Sequence, residues 1–150
     1  MSTEWLWLLM AITAGAAMPL QAGINSTLAQ QGDGAIWAAM VSFLVGTVAL
    51  CVLTLILNQR LWPGMAVITD TPSWAWIGGF LGAVFVSVSV FLAPRIGGAA
   101  LMVALLAGQL SASIFLDKIG WATFPQHDIS LGRIAGIVLV ILGVILIKRF

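Results

Sequence analysis

The stretch Ala35–Leu57, AIWAAMVSFLVGTVALCVLTLIL, decides the fold. It runs for 23 residues without an Asp, Glu, Lys, Arg or His. A helix needs roughly 20 apolar residues to cross the hydrocarbon of a bilayer. A strand of a membrane barrel needs roughly 10, with alternating polarity, and this stretch does not alternate. Working outward, the same reading recurs. Trp5–Leu28 is 24 residues without a charge, Trp74–Ala93 is 20 and Ile96–Leu116 is 21. Leu131–Ile147 is 17 and carries Arg133 near its start; an Arg there can keep its stem in lipid and its head at the interface. The chain therefore reads as an all-α integral membrane protein with five transmembrane helices and short loops. It forms one transmembrane domain over residues 1–150, with helices at about 5–28, 35–57, 74–93, 96–116 and 131–147.

Composition agrees. The 150 residues are 61% hydrophobic and 7% charged, with a mean hydropathy of +1.13. A soluble domain has about 25% charged residues, so this chain could not cover a surface facing water. A net charge of +1 with no basic cluster implies no nucleic-acid partner. The first apolar run follows Glu4 rather than a positive charge and exceeds the core of a signal peptide, so it is expected to stay as a membrane helix. Cys51 is the single cysteine and reads as a small apolar packing residue.

The connections are punctuated by turn residues. QQGDG (Gln30–Gly34) joins the first two spans, and Asn58–Ser73, with Pro63, Gly64 and Pro72, joins the second and third. Pro94 and Arg95 are expected to mark the turn between the third and fourth, and Asp117–Ser130 joins the last two. Trp5, Trp7, Trp62, Trp74, Trp76 and Trp121 fall near span ends, where an indole is half wet; Trp37 is left to packing.

Orientation follows the Lys and Arg of the loops. One side would hold Arg60, Lys118 and Arg133, and the other Arg95, Lys148 and Arg149. The count is level. Either charges close to helix ends set one orientation, or the chain inserts both ways and pairs as an antiparallel homodimer. Five is an odd number, and two inverted copies would make ten helices with an inverted repeat, an architecture of secondary transporters.

In lipid, helices associate through small residues that let backbones approach. The fourth span has Ala100, Ala104, Gly108 and Ala112 at four-residue spacing; the third has Gly78 and Gly82, and the fifth Gly132 and Gly136. These predict helix packing or a dimer contact. Polar groups within the spans need a reason, because an unpaired one costs several kcal/mol in hydrocarbon. Pro19 frees the carbonyl of Gly15 and bends the first span. Gln21 and Asn25, four apart, share a face, and Gln109 lies near the middle of the fourth span. Two readings stand for these three: interhelical glue, or the wall of a substrate pathway that binds a solute without charge. Ser42, Ser87, Ser89, Ser111 and Ser113 read as glue.

No Asp, Glu, Lys, Arg or His falls at mid-span, whereas proton-coupled carriers usually show one. Asp117 and Arg133, at span ends on one side, are expected to form a structural ion pair, with Lys118 as a competitor. His127 and Asp128 alone do not make a metal site. No nucleophile elbow, phosphate loop or carboxylate pair is present, so no enzyme and no cofactor is expected.

Several segments carry a family likeness. MPLQAGINSTLAQ (Met18–Gln30), FLVGT (Phe43–Thr47), GGFLGAVFV (Gly78–Val86), APRIG (Ala93–Gly97), GQLSASIFLDKIG (Gly108–Gly120) and RIAGIVLVILGV (Arg133–Val144) resemble, in order, the small five-helix bacterial membrane proteins of the YdcZ type. The resemblance implies the drug/metabolite transporter superfamily, a multi-pass protein of the bacterial inner membrane, and dual-topology, paired or fused ten-helix forms. It carries no substrate. Related four-helix multidrug transporters use a Glu deep in their first helix, where this chain has Gln21 and Asn25. Transport of a small solute by an antiparallel homodimer is the expectation; the rival is a scaffold or accessory subunit of a larger complex.

Overall fold

The computed structural model describes residues 3–62 and 64–149, the side chain of Glu4 excepted. Pro63, one of the expected turn residues, lies outside the described residues. The chain is all-helical: α1 (Thr3–Gln31), α2 (Ala35–Ile56), a short α3 (Ala66–Asp70), a 3-10 turn (Ser73–Ile77) leading into α4 (Gly78–Ile96), α5 (Gly98–Ile119) and α6 (Leu131–Arg149). Among the described residues, five segments are long and apolar enough to span a membrane: Trp5–Gln31, Ala35–Ile56, Ser73–Ile96, Gly98–Ile119 and Leu131–Arg149. At 1.5 Å per residue, even a 22-residue helix such as α2 reaches about 33 Å, against roughly 30 Å of hydrocarbon. Large apolar side chains such as Ile36, Leu44, Leu139 and Ile145 point outward, which only a lipid solvent rewards.

The helix ends explain the loop lengths. α1 runs three residues beyond its expected end and closes with Gly32 N–H donating to the Leu28 carbonyl at 2.9 Å. A Cβ on Gly32 would fall within the indole of Trp37, so any larger residue there would have to displace that ring. Gly34 precedes α2 at φ 91°, ψ −172°, and Gly97 precedes α5 at φ 82°, ψ 155°. That region is essentially closed to residues with a Cβ. Each carbonyl accepts the first helical bond, from Ala38 at 3.0 Å and from Leu101 at 3.1 Å.

Pro94 and Arg95, expected to mark a turn, both lie inside α4, and the break between α4 and α5 falls at Gly97. Pro94 has no N–H, so the Val90 carbonyl loses its intrahelical partner, and α4 ends two residues later at Ile96. Two helices end in the same way. Asn58 (φ 54°) donates to Leu55 and Gln59 to Thr54 after α2, while Gly120 (φ 60°) donates to Asp117 and Trp121 to Leu116 after α5. Both are six-to-one closures with a left-handed residue that satisfies the last carbonyls.

The chain divides at Pro19 and again at Pro94 into two compact units, one of residues 1–19 and 95–150, the other of residues 20–94. In the second, Ala22, Asn25, Ser26, Ala38, Ala39, Ser89 and Val90 are buried; in the first, Leu101 is buried and α5 packs along α6.

Candidate functional site

Within the unit of residues 20–94, α1 and α2 are tied by a hydrogen bond between side chains. Asn25 Nδ2 donates to Ser42 Oγ at 3.1 Å, and Asn25 is only 4% exposed. Beside this tie a groove of about 220 Å³ is lined by Gln21, Ser42, Phe43, Gly46, Thr47 and Leu50. The helical period explains the wall from α2: Ser42, Gly46 and Leu50 recur every four residues, as do Phe43 and Thr47, so the two rows share one face. The sequence marks Gln21 as a pathway candidate, whereas Phe43, Gly46 and Thr47 stand out only within the family-like segment FLVGT and Leu50 not at all. Their four-residue spacing was the available signal, hidden among apolar residues of similar spacing.

Ser42 differs from five of the other span hydroxyls. Thr13, Thr27, Thr54, Ser89 and Ser111 each donate to a carbonyl three or four residues back in their own helix. Such bonds are local and link nothing across helices. Ser42 accepts across helices, and its own O–H proton is then what it can offer toward the groove. Gln21 is exposed on α1, so its amide is open to a ligand. Pro19 is also exposed within α1.

The unit of residues 1–19 and 95–150 carries its polar groups differently. Gln109 is exposed on α5. Asp117 and Arg133 meet at the ends of α5 and α6, with Arg133 Nη1 3.2 Å from Asp117 Oδ2 and each side chain about 30% exposed. The Asp117 carbonyl also accepts from His127 N–H at 2.9 Å, and the Lys118 carbonyl accepts from Gln126 Nε2 at 3.1 Å. Ser130 Oγ accepts from Arg133 N–H at 3.3 Å, at the start of α6. The connection is thus stapled at both ends. His127 Nδ1 lies 2.9 Å from the Pro125 carbonyl, and no cluster of three His, Cys, Asp or Glu occurs among the described residues.

The small-residue stripes are placed unevenly. A Cβ on Gly82 would meet the Phe43 ring at 3.3 Å, so in this unit α4 approaches α2 closely there. A Cβ on Gly78, Gly108 or Gly136 would meet nothing within 4 Å, and one on Gly132 only Ser130 Oγ at 3.9 Å. Ala104, Gly108 and Ala112 are exposed along α5, and Ala100 is half-buried. Cys51 is exposed on α2.

Residues 6–146 match the family described as "Putative inner membrane exporter, YdcZ". The chain is 28% identical over 148 residues to "Inner membrane protein YdcZ" of Escherichia coli (strain K12), covering 96% of this chain and 95% of that protein. No solved structure matches. Five membrane-crossing helices, a level loop charge and a match over nearly the full chain lead to one assignment: this multi-pass inner membrane protein belongs to the YdcZ family of membrane exporters.

Proposed function

We propose that the chain exports a small solute as an antiparallel homodimer, with all 150 residues acting as one transmembrane domain. Gln21 and Gln109 would line the pathway, Asn25 would hold Ser42 at its wall, and Pro19 would supply the bend in α1. The observation that carries this reading is the α1–α2 groove, where Gln21, Ser42 and Thr47 place neutral hydrogen-bonding groups among apolar walls. Uncharged amides can strip a solute of water, replace its hydrogen bonds and release it without moving a proton. The level Lys and Arg count and the odd number of spans support insertion both ways. The exposed stripe Ala104, Gly108 and Ala112 suits a close helix contact with a second copy.

The test compares cells making the wild type, Gln21→Leu or Gln109→Leu at equal levels. Small molecules in cells and medium are profiled against an empty vector. The wild type should enrich at least one solute outside, and both variants should lose that enrichment. If both variants export as the wild type does, the pathway assignment is wrong. Reporters fused at the C-terminus should report both sides of the membrane; a single orientation would sink the homodimer.

A further inference from the structure

The α1–α2 groove also constrains the chemical class of what it holds. Its volume, about 220 Å³, is below the roughly 300 Å³ at which clefts for drug-sized ligands begin. The part of an occupant that the groove holds is therefore small. None of Gln21, Ser42, Phe43, Gly46, Thr47 and Leu50 can carry a charge at cellular pH. The ionisable residues of this stretch of chain lie at the helix ends or beyond them. Glu4 is 17 residues before Gln21, about 25 Å along α1, while Asp33 and Arg60 are in the connections.

A cation or anion entering this groove would leave its hydration shell and meet no opposite charge. That loss is far larger than for a neutral group that finds hydrogen-bond partners. A neutral carboxamide meets a different surface. The Gln21 amide both donates and accepts, the Thr47 hydroxyl does the same, and Ser42, fixed through its oxygen by Asn25, offers its proton. Phe43 and Leu50 cover an apolar body, and Gly46 leaves the floor open.

We propose that this groove is a binding site for small uncharged solutes that join a planar hydrogen-bonding head, such as a carboxamide, to an apolar body, and that it rejects ions of the same shape. The assignment rests on the export reading above and adds the solute class to it.

Benzamide, benzamidinium and benzoate test this directly, because they share a ring and a planar head and differ in charge. Each is titrated onto the purified full-length protein in lipid nanodiscs. Benzamide should bind about tenfold or more tightly than either ion, a difference of roughly 1.4 kcal/mol. Gln21→Leu should abolish that preference, and Gln21→Glu should turn it toward benzamidinium, because a carboxylate now meets the cation. Equal binding of all three, an ion preferred by the wild type, no benzamide binding at millimolar concentration, or a Gln21→Glu variant that still prefers benzamide would each overturn the solute class. Export fails on separate grounds, namely an unchanged solute profile in both Leu variants. Export that depends on Gln21 together with a wild-type preference for benzamidinium would keep the pathway and discard the neutral class.

Discussion

Two helix pairs of this chain are each tied by one polar contact, and the two ties are of opposite kind. Asn25 and Ser42, 17 residues apart, join α1 to α2 with neutral groups, and Asn25 is buried. Asp117 and Arg133, 16 residues apart, join the end of α5 to the start of α6 with full charges, each about 30% exposed. The difference follows from solvation. Within the span an uncharged amide needs only hydrogen-bond partners, whereas an ion there costs several kcal/mol. At the span end, water and headgroups solvate whatever the partner leaves uncovered. The tie within the span therefore contributes through burial, and the end tie through its position on the loop.

The comparison can be broken most sharply by moving a charge inward. Asn25→Asp should cost at most about 2.5–3.5 kcal/mol, the full insertion penalty of an acidic side chain at a helix centre, because Asn25 lies six residues inside the end of α1. Equilibrium unfolding in bicelles measures it, and a loss under 1 kcal/mol would mean that water reaches Asn25. Removing the neutral tie is milder. Asn25→Leu or Ser42→Ala should each cost about 1 kcal/mol, with the double variant no worse than either alone, because interhelical hydrogen bonds in membranes are modest. Additive losses would show that the two side chains act independently.

Next comes the ion pair. A double-mutant cycle on Asp117→Asn and Arg133→Gln should give a coupling of about 0.2–1 kcal/mol that shrinks in high salt. Coupling that ignores salt would mean the pair is drier than its exposure indicates. The smallest effect is expected at Ser111→Ala, within about 0.5 kcal/mol, because its bond to the Ala107 carbonyl stays within one helix. A loss as large as that of Ser42→Ala would reveal a partner for Ser111 beyond its own helix.

Much of this was legible in the residues. Ala35–Leu57 could only be a membrane helix, since length and the absence of charge decide that without any tertiary contact. The ion pair was readable because Asp117 and Arg133 sit at adjacent span ends, where few geometries separate them. Pro94 misled for a physical reason. Proline disfavours the helical conformation of the residue before it, yet α4 runs on to Ile96, and only the backbone shows that the break falls at Gly97. The six-to-one closures at Asn58 and Gly120 extend or trim helices by a few residues, through bonds that an apolar pattern does not encode.

The polar residues show the limit most clearly. Sequence alone determined that α1 carries Gln21 and Asn25 on neighbouring turns and that no ion lies with them, because hydrocarbon penalises every exception and so makes each polar residue visible. It left their partners open, since a shared face does not say which helix the face meets. The tertiary structure decided that Asn25 turns to Ser42 while Gln21 stays open beside Phe43, Gly46, Thr47 and Leu50. The reason is geometric: side-chain pairing depends on the rotation and depth at which α1 and α2 pack, and an apolar period fixes neither.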